Sequence, residues 1–330
     1  MSDRQQASIR EVTNDEAGRR LDNYLTSVFG GVPRSLVYRV IRSGEVRVNG
    51  RRAKASQRLA AGDKVRVPPH SAPDSTAPII GRAIKDAVEQ SVLFEDEHLM
   101  VVSKPSGMAV HAGSGLPFGV IDVARAIRPS CPKLELVHRL DRETSGCLML
   151  AKDGATLRAL HQQLRAGTMS KAYLALLAGE LPEGSITCTA PLLMAPDGQG
   201  ERRAEVSPEG LHAQTGFCGE TWFADWTLAK VSLATGRTHQ IRAHAAHLGY
   251  PVAADTRYGQ PIQNEKARQI GLKRLFLHAH TLTFEHVNRP MTVVAPLPID
   301  LARVLDTLSA TIPAPKIEPA QPSAKRRTQS

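Results

Sequence analysis

The sequence predicts an α+β protein in two parts: a small basic helix–helix–sheet module, then a larger domain built on a mainly antiparallel mixed sheet. Three observations predict it. Positive charge is concentrated at the two ends of the chain rather than spread along it. A Pro- and Ser-rich stretch without apolar periodicity, 68–78, separates the parts. In the larger part, short apolar runs outnumber amphipathic stretches and do not alternate with them, which disfavours a doubly wound parallel sheet.

The chain has 330 residues, which at roughly 100–200 residues per domain fits two domains. With 42% hydrophobic and 22% charged residues, it can bury a core, and wholesale disorder is excluded. Residues 1–70 carry 14 Lys+Arg against 7 Asp+Glu, residues 71–311 carry 24 of each, and residues 312–330 carry 4 against 1. A basic module and a basic tail thus flank a neutral body, the pattern of a polyanion-gripping appendage on a domain with other work. No apolar run reaches the ~18 residues of a membrane span, and MSDRQQASIR lacks a signal-peptide stretch, so the expected location is the cytoplasm. Cys131, Cys147, Cys188 and Cys218 form no C-x-x-C pair and read as free thiols.

Taken in order, residues 1–15 read as a tail and 16–70 as the basic module. Leu21, Tyr24, Leu25, Val28 and Phe29 recur on one helical face. Pro33 can start a second helix, whose apolar face is Leu36, Val37, Val40 and Ile41 and which Gly44 ends. Asn49-Gly50, flanked by Val46, Val48 and charged residues, is a two-residue hairpin signal. A last strand covers Lys64–Val67. The outward positions are Arg34, Arg39, Arg42, Arg47, Arg51, Arg52, Lys54 and Arg58, with only Glu45 among them. An ordinary solvated basic face is the plain alternative to a phosphate-binding surface. The segment 71–90 reads as linker, 91–308 as the large domain, and 309–330 as a basic tail without a core.

In the large domain strands are predicted at 92–94, 99–102, 134–137, 147–151, 173–178, 223–231, 275–284 and 292–294. Helices are predicted at 120–127, 155–166 and 239–248. Gly113-Ser114-Gly115 reads as a flexible loop, because its spacing matches neither a P-loop nor a dinucleotide fingerprint. The densest polar cluster is LVHRLDRETSGCLMLAK, 136–152, a polar loop between two buried strands. Asp141 has His138, Arg139 and Arg142 close by, which favours its ionised form. It is either a catalytic carboxylate or a turn-capping one. A kinase reading of His138–Asp141 fails for want of the rest of that constellation. The histidines at 239, 244, 247, 278 and 280 complete no metal-ligand pattern. A helix after Thr235-Gly236 would carry His239, Arg242 and Ala246 on one face. If Arg242 points inward it needs an anionic partner, and Asp141 is a candidate. Lys171 and Tyr173 share one face of a strand, and Tyr173 is either core or a base-stacking platform.

Two resemblances add to these readings. The basic module resembles the RNA-binding module named for the fourth small-subunit ribosomal protein. HRLDRETSG, KAYLALL, TGRTHQIRAH with GYP and RYG, and FLHAHTL are similar to the motifs of the ribosomal-RNA pseudouridine synthases related to the A-type enzyme. The likeness covers about residues 16–300. Cys147 and Met149 depart from the aliphatic residues usual there, and Ala254 stands where Gly is common. These departures read as packing changes. The resemblance implies a pseudouridine synthase fold and a large-subunit ribosomal RNA substrate or its assembly precursor, and the isomerisation it implies needs no cofactor; no metal is expected from the residue pattern, and a monomer is the default expectation. It implies Asp141 as the essential carboxylate, paired with Arg242. Tyr173 would stack on the flipped uracil and assist proton removal from C5. Arg139 would hold the flipped state, with Lys171 and Leu277 completing the substrate site. A non-catalytic ribosome-associated RNA-binding protein and an N-glycoside hydrolase or nuclease are the competing readings.

Overall fold

Apolar periodicity and one tight turn account for most of the basic module. In a computed structural model, which describes residues 7–29, 34–69, 80–112, 116–196 and 202–310, the module comprises β1 (Ser8–Glu11), α1 (Leu21–Val28), α2 (Arg34–Ser43), β2 (Arg47–Val48), β3 (Arg51–Arg52) and β4 (Lys64–Val67). Its sheet is antiparallel in the order β1-β4-β2-β3. Leu21, Tyr24, Leu25, Phe29, Val37, Val40 and Ile41 pack against Val46, Val48, Val65 and Val67. Asn49 and Gly50 both take positive φ, 49° and 77°, as a primed hairpin turn requires. The expected tail, 1–15, instead supplies β1, which pairs with β4 from Ser8↔Val67 to Glu11↔Lys64. All four β1 residues are exposed, so the strand leaves no burial periodicity in the sequence.

The chain divides into two compact units, Met1–Tyr173 with Leu233–Thr235 and His278–Pro296, and Leu174–Ser232 with Gly236–Leu277 and Leu297–Ser330. After the module, the first unit contains α3 (Arg82–Gln90), β5 (Val92–Glu95), β6 (Leu99–Lys104), α4 (Val120–Ile127), β7 (Glu135–Leu136), β8 (Ser145–Ala151) and α5 (Gly154–Ala166). Helix α3 lies within the stretch read as linker. Ile84 and Val88 stand one turn apart in it and Val88 is buried, but two apolar contacts are too few to announce a helix. Residues 70–79, most of the Pro-rich stretch, lie outside the described residues, as do Gly113–Gly115 and 311–330.

Strand β9 (Ser170–Ala178) runs from the first unit into the second. The second unit continues with β10 (Ser185–Cys188), β11 (Leu192–Pro196), β12 (Arg202–Val206), β13 (Thr215–Trp222), β14 (Trp226–Leu233), α6 (Gln240–His247) and α7 (Pro261–Gln269). Its strands are ordered β10-β13-β14-β9, with β11 and β12 as a separate hairpin. The single strand expected at 223–231 is in fact the turn 223–225 and most of the second arm of a hairpin. Phe223 and Trp226 are both buried, which disguised the turn at Ala224-Asp225 as a continuous apolar run. The polar α7 was not anticipated.

Strands β15 (Leu277–His286) and β16 (Arg289–Val294) return the chain to the first unit, and α8 (Ile299–Ala310) closes the second. Leu301, Val304 and Leu308 line the buried face of α8, and the helix runs past the boundary expected at 308. In the first unit the order is β15-β8-β6-β5, with β16 on β15 and β7 on β8. β6 and β8 are antiparallel from Leu99↔Ala151 to Lys104↔Gly146. β15 and β8 are parallel at His278↔Ser145 and Ala279↔Gly146, so the sheet is mixed as expected. Gly146, with φ +110°, is required here: an added Cβ would lie 2.2 Å from the Ala279 carbonyl oxygen. No helix among the described residues is long and apolar enough to cross a membrane.

Candidate active site

The loop from β7 to β8 carries His138, Arg139, Asp141 and Arg142, and its backbone is pinned from several sides. The Lys104 ammonium, at the end of β6 and 0% exposed, donates to the carbonyls of Pro105, Met108 and Arg142 at 2.8, 2.8 and 2.9 Å. Gly107 N–H donates to the same Arg142 carbonyl, and Thr144 N–H to that of Asp141. Ser106 Oγ donates to the Glu143 carbonyl at 2.7 Å. The loop carbonyls are thereby satisfied, and the Asp141 backbone is held from both sides while its side chain stays half-exposed. Arg139 is exposed on the same loop.

His138 closes the loop's entry. Its Nε2 accepts the Met149 N–H at 3.2 Å, so its proton sits on Nδ1. Burial and the nearby Lys171 ammonium push its pKa down to about 4, which leaves it neutral at physiological pH. Beneath the loop, Ser145 Oγ donates to His278 Nδ1 at 2.9 Å, and His278 Nε2 donates to the Ala295 carbonyl at 3.1 Å. Burial raises the Cys147 thiol to about 11, so this cysteine is a packing residue.

Tyr173 stands on β9 two residues from Lys171, and both face the same way. It is 7% exposed. Burial raises its phenol pKa, and the Asp141 carboxylate and Cys147 raise it further. Burial alone lowers that of Lys171. The first unit therefore brings Asp141, Tyr173, Lys171 and His138 into one neighbourhood. A neutral phenol suits a stacking surface; the raised pKa disfavours the phenolate that proton removal would need.

In the second unit, Arg242 emerges from the first turn of α6. Its Nε and Nη2 donate to the two oxygens of Asp255 at 2.7 and 2.8 Å, with side chains 7% and 0% exposed. Asp255 Oδ1 also accepts the backbone N–H groups of Arg257 and Tyr258. The Arg242 guanidinium lies 5.1 Å from the centroid of the Tyr258 ring, a cation–π contact. The Tyr258 hydroxyl meets His239 Nδ1 at 3.0 Å and accepts the Ala204 N–H at 2.8 Å. His244 bonds Thr215 Oγ1 and the Ala190 carbonyl, and Gln240 bonds Thr215 and Gln214. The motif histidines are thus structural partners. Leu277, the first residue of β15, is 3% exposed.

The reading of Ala254 as a packing change is corrected here. Ala254 has φ +58°, so a Gly is suited to this position for backbone reasons. Lys104, Asp255 and Tyr258 were not singled out from the sequence. The only signal for Lys104 was a lysine at the end of an apolar run, directly before Pro105. Of the residues expected to meet RNA, Arg39, Arg42, Arg47, Arg51, Arg52 and Lys54 are all exposed, on α2, on the following hairpin and just after it. Arg34 begins α2, and its side chain lies outside the described residues.

A family model for RNA pseudouridylate synthase matches residues 98–247, and one for the S4 domain matches residues 19–65. The chain is 46% identical over 308 residues to the ribosomal large subunit pseudouridine synthase C of Pasteurella multocida, covering 92% of this chain and 94% of the relative. It is 46% identical over 309 residues to the protein of that name from Escherichia coli K12, covering 91% and 96%. Among solved structures, human RNA pseudouridylate synthase domain containing 4 aligns with a TM-score of 0.58 at 22% identity, over 69% of this chain and 96% of that one. At that identity the likeness speaks to the fold.

Proposed function

The chain belongs to the RNA pseudouridylate synthase family, with an S4 domain at its N-terminus, and from that premise we propose that it converts specific uridines of large-subunit ribosomal RNA to pseudouridine, with Asp141 as the essential carboxylate. The observation that carries the assignment is the pinned loop: a half-exposed carboxylate on a fixed backbone, beside a buried neutral phenol. The names of the curated relatives support the choice of RNA.

In the reaction the N1–C1′ bond of uridine breaks, C1′ rejoins the base at C5, the C5 proton leaves and N1 gains a proton. Product and substrate are isomers, so no redox partner or group donor enters the balance. A uridine stacked in RNA must first be extruded, at a cost of a few kcal/mol. To Arg139, exposed on the same loop as Asp141, we assign the holding of the flipped state. Tyr173 supplies an apolar face for the uracil, with Leu277 as a further apolar contact. Asp141 acts on the ribose, at C1′ or at the C2′ proton. Arg242, whose Nε and Nη2 are held by Asp255, is the arginine we assign to support the reaction. Detached uracil must be kept from water until it is rejoined.

The test is Asp141→Asn, assayed for pseudouridine formation in ribosomal RNA and for RNA affinity. The amide can neither attack carbon nor accept a proton usefully, so isomerisation should vanish with affinity nearly unchanged. Wild-type turnover by this variant would overturn the assignment, and release of free uracil by the native protein would mark a hydrolase instead.

A further inference from the structure

On the basic module, Tyr38 is an aromatic side chain that the fold leaves open to solvent. It is 39% exposed, and it is the only aromatic among the large hydrophobic side chains exposed in the described residues. It sits on α2 off the apolar face made by Val37, Val40 and Ile41, so packing does not explain it. The ring is nonetheless held. Its hydroxyl donates to Asp22 Oδ2 at 3.0 Å. Asp22, 7% exposed, is gripped in turn by Arg20 Nε and Nη2 at 3.0 and 2.7 Å. Burial works to raise the Asp22 pKa, but the hydrogen bonds from Arg20 and Tyr38 prevail and hold it below the usual carboxylate range. The anchor is therefore ionised at neutral pH.

The same tyrosine borders a depression of about 490 Å³ lined by Tyr38, Arg39, Arg42 and Ser43. Arg39 and Arg42 are exposed, three residues apart on α2, and neither guanidinium makes an ion pair or hydrogen bond with a described residue. A fixed aromatic face beside two guanidinium groups matches one ligand chemistry well: a base with its flanking phosphates. A paired base presents no free face, so the fitting ligand is an unpaired nucleotide. A tyrosine ordered in advance gives up little side-chain entropy when the base arrives.

We propose that Tyr38, Arg39 and Arg42 form a second RNA-contact site, where one unpaired base of the substrate stacks on Tyr38 and the arginines take the adjoining phosphates. The proposal rests on the reading that the substrate is RNA. Base–aromatic stacking is tolerant of sequence, so the site selects for an unpaired nucleotide at a set place rather than for a particular base. It would make the module a reader of RNA shape, beyond a general phosphate grip.

The experiment uses the full chain and two RNA hairpins, one with a single bulged 2-aminopurine and one fully paired. Wild-type protein should bind the bulged hairpin more tightly and quench its 2-aminopurine. Tyr38→Leu should lose about tenfold in affinity for the bulged hairpin, about 1.4 kcal/mol, together with the quenching, while affinity for the paired hairpin stays. Tyr38→Phe keeps the ring but not its bond to Asp22, and should keep the quenching with a smaller loss of affinity than Tyr38→Leu. Arg42→Gln should weaken both hairpins alike and lower the slope of log K against log salt by about 0.7 to 0.9. Equal losses of Tyr38→Leu on the two hairpins would reduce Tyr38 to a packing residue and overturn the proposal. So would equal wild-type affinities with unquenched emission, a result that needs no variant to fold. Pseudouridine formation in ribosomal RNA by the same wild-type preparation separates the two readings. If it is present without bulge discrimination, this site fails alone; discrimination without it removes the synthase reading and leaves the site standing.

Discussion

The Lys104 ammonium donates at 2.9 Å to the carbonyl oxygen of Arg142, the residue that follows Asp141. With its bonds to the Pro105 and Met108 carbonyls, it ties the end of β6 to the loop that carries the carboxylate. Replacing it with an apolar side chain takes this donor from the Pro105 and Met108 carbonyls, each loss worth about 1–3 kcal/mol, while the Arg142 carbonyl keeps the Gly107 N–H. Lys104→Met should therefore lower unfolding free energy by about 2–4 kcal/mol, and turnover should fall far more than RNA affinity. Lys104→Arg should not restore it, because a planar fork cannot serve three convergent carbonyls as an ammonium does. Denaturant titration with single-turnover kinetics checks this. An active, fully stable Lys104→Met protein would show that the β6–loop tie is dispensable.

The Arg242–Asp255 pair is buried on both sides, so its two members are not exchangeable for neutral groups one at a time. Removing one charge strands the other in a desolvated site, at about 3–5 kcal/mol. Asp255→Asn keeps the shape, and two backbone N–H groups still find an acceptor oxygen. We expect a loss near the lower end, about 3 kcal/mol, with turnover reduced because Arg242 is no longer aimed. Stability curves and the split between binding and turnover report the two effects separately. If turnover drops while the Arg242 side chain keeps its place in a structure of the variant, aiming is not the cause.

Much of this arrangement was legible in the sequence, and the exceptions share physical reasons. The module was legible because a small core needs strict periodicity: Leu21, Tyr24 and Leu25 on α1, Val46 and Val48 on β2 with its approach. Asp141 stood out because a polar run between two buried strands is expensive unless it serves a purpose. Elements with little apolar content, β1, α3 and α7, were missed. So was the turn at Ala224-Asp225, masked by buried aromatics on both sides. Lys104 and Asp255 escaped for a different reason. Their roles depend on partners brought near by the fold, such as Arg142, 38 positions away from Lys104, and no local pattern carries that information. Tyr38 belongs to the same class, since its anchor Asp22 lies 16 positions away on another helix.

His138 makes folding stability fall with acidification. Burial, then the Lys171 charge, hold its folded pKa down at about 4 against 6.5 for the free side chain. Below pH 6.5 the unfolded chain takes up a proton that the folded protein refuses, so stability drops as pH falls from about 6.5 and levels off near 4. At 1.36 kcal/mol per unit, the loss from this residue between pH 7 and pH 5 is about 2 kcal/mol. Burial shifts His161 and His244 in the same direction, while Asp153 raises His98 and opposes them. His138→Gln, whose amide oxygen can still accept the Met149 N–H, should remove about 2 kcal/mol of this pH dependence. Urea unfolding at pH 7, 6 and 5 checks it. Parallel curves for the two proteins would mean that His138 titrates normally in the fold.

Ala254 holds a left-handed backbone conformation, φ +58°, immediately before Asp255. For an L-residue with a Cβ this conformation costs roughly 1–2 kcal/mol. The neighbours show why the chain accepts it: Ala253 N–H bonds the Leu176 carbonyl, and Asp255 N–H the Val252 carbonyl. Between these anchors the backbone has to turn so that Asp255 faces Arg242. Ala254→Gly relieves the strain in the folded state, but it also frees the unfolded chain, which returns about 0.5–1 kcal/mol of entropy. The two effects oppose each other, and the steric one is larger. The net expectation is a gain of up to about 1 kcal/mol, with a small rise in melting temperature and unchanged turnover, since the Asp255 geometry already exists in the alanine protein. Ala254→Val, branched at Cβ in the same conformation, should lose stability and turnover together. A destabilised glycine variant beside a tolerated valine would show that the backbone at 254 does not hold this conformation in solution.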